Sequence, residues 1–111
     1  MSQIVYLNVG GCCFVTRRDT LKRGFFSGLL ESINEEGTEV FVDRDPTHFR
    51  YVLNWLRGAR GLPEDDQTLT ELMWEADFYA LDDMVACISE TRRRFSMLKT
   101  LDVIASSIGH S

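Results

Sequence analysis

The stretch that most restricts what this chain can become is residues 40–60, VFVDRDPTHFRYVLNWLRGAR. It opens on Val40, Phe41 and Val42, β-branched or aromatic residues that favour a short buried strand. Asp45-Pro46 is expected to end that strand and open a helix. The Asp45 carboxylate is suited to accept from the first unpaired helical N–H groups, and Pro46 at the first helical position lacks an N–H that would have no partner there anyway. Phe49, Val52, Leu53 and Leu56 recur at i, i+3, i+4 and i+7, one apolar helical face with Trp55 beside it. Gly58 is placed to end the helix in a left-handed conformation. A strand that turns through charged residues into so apolar a helix leaves the other elements to pack around that helix.

Upstream, residues 4–9 read as a strand with Val5, Leu7 and Val9 on one face and Ile4, Tyr6 and Asn8 on the other. Gly10-Gly11 signals a two-residue hairpin, since both central residues of a type I′ turn need positive φ. Residues 12–16 return, with Phe14 as the expected core anchor. Asp19 or Thr20 can cap a short helical turn carrying Leu21, Gly24 interrupts it, and Ser27 can cap a second short helix bearing Leu29, Leu30 and Ile33. Residues 34–39 form an acidic loop, read as a solvated connection.

Downstream, residues 59–67 form a loop, and Thr68-Leu-Thr-Glu71 matches a capping box. Leu69, Leu72, Met73 and Ala76 make a helical stripe, Phe78, Tyr79 and Leu81 an aromatic cluster, and Asp82 caps a helix with Met84, Val85 and Ile88 inward. After the basic run Arg92-Arg93-Arg94, residues Phe95, Leu98, Leu101, Ile104 and Ile108 recur at threes and fours. That tail reads either as a helix packing back on the domain or fraying, the favoured reading, or as an oligomerisation or linker helix. The order is an α/β mixture (α+β): a small, mostly antiparallel sheet with helices laid on it.

The 111 residues allow one domain with its own core. A net charge of −5 removes any overall attraction to nucleic acid or anionic lipid. No apolar run approaches the ~20 residues that span a bilayer, so direct membrane insertion is not expected, and the N-terminus enters a strand with no signal-peptide shape. Three cysteines, an odd number without paired zinc-type spacing, favour free thiols in a reducing compartment, with the cytoplasm as the default.

Few constellations carry chemistry. Asp43-Arg44-Asp45 places two carboxylates on one strand face, a pattern compatible with a metal or phosphoryl site. No glycine-rich phosphate loop accompanies it, Asp45 doubles as a cap, and Arg44 can pair with either acid, so a structural or interface role is preferred. A cysteine nucleophile would need Cys12 or Cys13 activated by His48, because His110 lies in the tail. Cys87 sits in an apolar helical pattern as a small core residue. Scattered cysteines and histidines do not supply the four ligands of a structural zinc site, and no cofactor is implied. Arg93-Arg94-Phe95-Ser96 has the form of a basic-directed kinase site, a candidate switch.

The motifs fall in a recognisable order: Val5-Tyr-Leu-Asn-Val-Gly-Gly11, Phe14-Val-Thr16, Thr20-Leu21, Val40-Phe-Val-Asp-Arg-Asp-Pro46, Phe49-Arg-Tyr-Val-Leu-Asn-Trp-Leu-Arg57 and Glu75-Ala-Asp-Phe-Tyr-Ala-Leu81. Together they resemble the BTB/POZ domain of the potassium-channel tetramerisation type, which includes the assembly domains of voltage-gated potassium channels and the KCTD proteins. The resemblance covers about residues 4–90. It implies a BTB/POZ fold over residues 1–91, with residues 92–111 as a helical or flexible tail. It also implies a non-enzymatic domain whose copies assemble into a ring, a homotetramer or a homopentamer. Several KCTD proteins link substrates to a cullin-type ubiquitin ligase scaffold, and others assemble with channels or receptors. The leading reading is therefore a KCTD-like adaptor with a cullin scaffold as partner; the alternative is an assembly module of a channel or receptor. Carried over by residue, the resemblance places Asn8, Gly10, Gly11, Asp43, Arg44 and Asp45 at the oligomer interface, and Arg57 at the helix end is a further candidate for pairing with a carboxylate of the next copy. The early Cys12-Cys13 pair and lone Cys87 depart from the late cysteine pair of zinc-bridged channel domains.

Overall fold

The computed structural model describes residues 3–31, 33 and 37–108, with side chains as far as residue 104. Asn34, Glu35 and Glu36 of the expected acidic loop, and His110, lie outside the described residues. The elements are β1 (Ile4–Val9), β2 (Cys12–Arg17), a 3-10 turn (Arg18–Leu21), α1 (Phe25–Leu30), β3 (Glu39–Val42), α2 (Phe49–Leu56), α3 (Asp66–Phe78) and α4 (Asp82–Ile108).

The strands form one sheet in the order β2-β1-β3. Gly10 and Gly11, at φ +54 and +100, join β1 to an antiparallel β2 in the register Val9↔Cys12. β3 is parallel to β1, with Val9 opposite Val42, so the sheet is mixed and the expectation of a mostly antiparallel one is corrected. The physical reason is the connection: β2 ends opposite the start of β1 (Ile4↔Arg17), and the chain passes through the 3-10 turn and α1 to the far edge at that same end, so β3 starts beside the start of β1 and runs parallel to it.

Alternation along β1 sends Val5, Leu7 and Val9 into the core and leaves Tyr6 and Asn8 outside. Phe14 is half-buried and Thr16 is the buried side chain of β2, although the Phe14 ring still lies 4.8 Å from Phe49. On β3 only Val42 is buried; Phe41 points to the outer face and is 62% exposed, against the expected buried strand.

The α2 helix supplies the core as expected through Phe49, Val52 and Leu53, and Trp55 joins them while Leu56 is half-buried. Trp55 can be buried because its indole N–H donates to Asp83 at 3.2 Å. The helix begins at Phe49, three residues later than expected. Asp45 does not cap it: its carboxylate accepts from the N–H and hydroxyl of Thr47, 2.8 and 2.5 Å away, and so closes a local turn containing Pro46.

Four other caps differ from the sequence reading; one is Asp82, which is itself the first residue of α4. The 3-10 turn has no side-chain cap, and Asp19 pairs with Lys22 at 2.9 Å. The α1 helix starts at Phe25 behind Gly24, and Ser27 lies inside it, donating its hydroxyl to the Gly24 carbonyl at 2.8 Å. The α3 helix is capped by Asp65, which accepts from the N–H and hydroxyl of Thr68 at 2.9 and 2.8 Å, so Thr68 is not itself the cap and Glu71 turns to His48. Gly24 has positive φ and no room: a Cβ there would stand 2.2 Å from the carbonyl oxygen of Tyr79.

Tyr79 is the centre of the aromatic cluster, with Phe25, Phe26, Phe49 and Phe78 all 5.0–5.7 Å away. Met84 and Ile88 of α4 close the core. The α4 helix then continues without a break past residue 91. Beyond Phe95 it leaves the domain, exposing Met97, Leu98, Leu101, Val103 and Ile104, and the molecule extends 70 Å by 24 and 19 Å. Of the favoured reading, packing back on the domain is corrected: α4 runs straight on from Asp82 to Ile108, and an unbroken helix cannot turn back onto the domain it leaves. Among the described residues no helix is long and apolar enough to cross a membrane.

Candidate interaction surface

The β1–β2 hairpin and the turn after β3 meet at one end of the sheet. The Gly10 N–H donates to the Val42 carbonyl at 3.0 Å, and a Cβ on Gly10 would lie 2.3 Å from the Arg44 carbonyl oxygen. Only glycine allows this approach, so Gly10 sets where residues 43–46 stand. Asn8 fixes the other side of the hairpin. Its side-chain oxygen accepts from the Gly11 N–H at 2.9 Å, and its amide donates to Glu39 at 3.3 Å.

Arg44 does not pair with Asp43 or Asp45. Its guanidinium reaches Glu75 on α3, at 3.2 and 2.5 Å, and lies 4.2 Å over the Phe78 ring. A fork-shaped cation fits a carboxylate on one edge and an aromatic face on its plane, so Arg44 bolts the turn to α3 from behind. The sequence shows the arginine but not that Glu75 and Phe78, 31 and 34 residues later, lie beneath it; their spacing of three on one helix was the only signal.

With Arg44 held inward, Asp43 and Asp45 point outward. Asp43 is exposed, and no cation pairs with either among the described residues. The Thr47 hydroxyl and N–H hold the Asp45 carboxyl below the ordinary aspartate range, so it is charged at neutral pH.

Arg57 is not part of this cluster. From the end of α2 it donates to the Val15 carbonyl of β2 at 2.8 Å and to Asn54 at 3.4 Å. Together with Arg50 it lines an open cleft of about 310 Å³ against Cys13, Phe14 and Val15. Arg50 and Arg17 are exposed and were missed as candidates, because scattered surface arginines carry no motif. The result is two opposite edges of one sheet: carboxylates follow edge strand β3, and guanidiniums flank edge strand β2. Between them the outer face carries Tyr6, Val15 and Phe41, apolar and substantially exposed.

The groups weighed for chemistry stand apart from one another among the described residues. The His48 ring nitrogen meets Glu71 at 3.3 Å rather than either cysteine of β2. Cys12 and Cys13 are exposed free thiols and Cys87 is half-buried. Among the described residues there is no group of three or more His, Cys, Asp or Glu able to hold a metal ion.

A family model described as the BTB/POZ domain matches residues 5–88. The chain is 29% identical over 116 residues to the BTB/POZ domain-containing adapter for CUL3-mediated RhoA degradation protein 2 of Xenopus laevis, a match covering 95% of this chain and 36% of that protein. It is 34% identical over 122 residues to the BTB/POZ domain-containing protein KCTD18 of Bos taurus, covering 96% of this chain and 29% of the relative. It is 37% identical over 98 residues to KCTD21 of Mus musculus, covering 81% and 38%. The chain thus spans about a third of the length of these relatives.

Proposed function

The chain belongs to the BTB/POZ family, in its potassium-channel tetramerisation branch, and from that premise we propose that it is a non-enzymatic homo-oligomerisation and adaptor domain. The observation that carries the proposal is the opposite charge on the two sheet edges. A ring needs a heterologous contact, in which one patch of each copy meets a different patch of the next and the rotation closes. Asp43 and Asp45 on one copy, facing Arg57 and Arg50 on the next, supply that asymmetry, and like-charged edges reject the wrong pairing. Asn8, Gly10, Gly11 and Arg44 hold the acidic edge in position. The assembly has four or five copies, built from residues 1–91, with residues 92–111 as a helical tail; three free thiols suit the reducing cytoplasm.

The test is solution mass by light scattering at low and high salt. The native chain should weigh four or five chains and lose mass as salt screens the contact. Arg57→Glu should shift it toward monomer, and adding Asp43→Arg should restore assembly. A native chain that stays monomeric at high concentration, or an Arg57→Glu chain that assembles like the native one, overturns the reading.

Multiplying copies raises the effective concentration of whatever each copy holds. The relative from Xenopus laevis is named as an adapter for CUL3-mediated degradation, and a cullin scaffold is accordingly the partner proposed here. Calorimetry of the assembled chain with a cullin at tens of micromolar should show binding; no heat at that concentration removes the cullin from the proposal.

A further inference from the structure

The part of α4 that leaves the domain carries an apolar surface that the described residues leave uncovered. Met97, Leu98, Leu101 and Ile104 are each about half exposed or more. Exposed apolar side chains scattered singly need no explanation, but a contiguous set marks a contact. At 100° per residue these four fall within an arc of roughly 120°, while Val103 lies on the opposite side. Met97, Leu101 and Ile104 are spaced four and three apart, the repeat of a helix that packs on other helices.

We infer that this face is covered by the α4 helices of the other copies, which form a short helical bundle over the ring; the inference rests on the oligomeric reading above. Three observations favour copies of the same helix over an unrelated partner. First, the arc is wider than the two-position seam of a paired coiled coil and suits a helix with more than one neighbour, as in an assembly of several copies. Second, the stripe spans residues 97–104, little more than one heptad and too short to hold helices together unaided, so it needs a domain that already concentrates them. Third, the basic run that would repel between copies is largely offset within each chain: Arg92 pairs with Asp66 at 3.1 Å, and Arg93 and Arg94 share Glu90 at 2.5 and 3.5 Å, so two carboxylates oppose three guanidiniums. Similarity also continues beyond residue 88, where the family model ends: two relatives match 95% and 96% of the chain, which takes in most of the tail.

The test uses the full chain with the double substitution Leu101→Glu/Ile104→Glu and, as control, Val103→Glu. All three positions are exposed, so the domain is not asked to refold around them. Sedimentation over a dilution series reads the concentration at which assembly is half lost. The double variant should need at least tenfold more protein than the native chain, and the control should match the native chain. A native chain that assembles together with a double variant that assembles equally well overturns this inference and leaves the ring standing, as it would if another protein covered the stripe. A native chain that is monomeric throughout overturns both.

Discussion

Gly10→Ala tests whether the hairpin and the turn after β3 form a single joint. Two costs can be separated by comparison with Gly11→Ala. Both glycines have positive φ, +54 and +100, so either alanine strains the backbone by about 1–2 kcal/mol. At Gly11 there is nothing else, since a Cβ would meet no atom within 4 Å. At Gly10 the Cβ would stand 2.3 Å from the backbone oxygen of Arg44 and 3.2 Å from the Pro46 ring, and neither is the end of a flexible side chain. The turn must retreat. That breaks the Gly10–Val42 hydrogen bond, about 1 kcal/mol net, and pulls the Arg44 guanidinium from Glu75, a further ~1 kcal/mol once partial solvent screening is allowed for. Gly10→Ala should therefore destabilise by about 3–4 kcal/mol and Gly11→Ala by about 1–2. Urea unfolding at one fixed chain concentration reads the difference, because assembly makes apparent stability concentration-dependent. Equal midpoints for the two variants would refute the idea that the hairpin positions the acidic edge.

Phe49→Ala removes a buried ring that touches Phe14, Phe26 and Tyr79 and should cost about 3–5 kcal/mol, which urea unfolding measures directly. Tyr79→Phe should be neutral or stabilising by up to about 1 kcal/mol, because the buried Tyr79 hydroxyl has no hydrogen-bond partner among the described residues; a loss above 1 kcal/mol would mean that a subunit or a water satisfies it. Acid should weaken the fold partly through Asp83. The Arg23 guanidinium, then the Trp55 indole, hold its carboxyl below the ordinary 3.8. The folded state thus binds this proton less readily than the unfolded chain, so the stabilisation is complete above about pH 4 and fades as pH falls. Asp83→Asn should flatten the dependence of the unfolding midpoint on pH below 4, and an unchanged slope would reject the assignment.

What could be read from the residues alone follows the range of the interactions. The β1 alternation, the Gly10-Gly11 turn and the apolar face of α2 are set by contacts a few residues apart, and each stands where expected. Caps were less legible, because Asp45, Ser27 and Thr68 each have two local partners to choose from, and the choice depends on where the helix axis lies. The parallel pairing of β3 depends on the length and path of a connection, which residue patterns do not encode. Of the candidate site, Gly10 and Gly11 were legible as turn residues; Asn8 was legible as an outward strand residue, but its bond to the Gly11 N–H was not. The inward pairing of Arg44 was not, since Glu75 and Phe78 come close only after α3 has packed.

That inward pairing determines how assembly and folding can be separated by mutation. Arg44 holds the acidic edge by contacts within its own chain, so Arg44→Glu would place a carboxylate against Glu75 beneath Phe78 and disturb the fold along with any contact between copies. The same holds for Gly10 and for Asn8, whose side chain is committed to the hairpin. Asp43 and Arg57 differ: one is exposed with no partner among the described residues, and the other touches only a surface carbonyl and Asn54. An edge built this way separates the two tasks. Interior groups fix its position with strain and buried pairing, and outward charges are left to choose the neighbour. Loss of assembly on changing Arg44 or Gly10 would therefore say little about contacts between copies, whereas loss on changing Asp43 or Arg57 in a chain of native stability speaks to the interface alone.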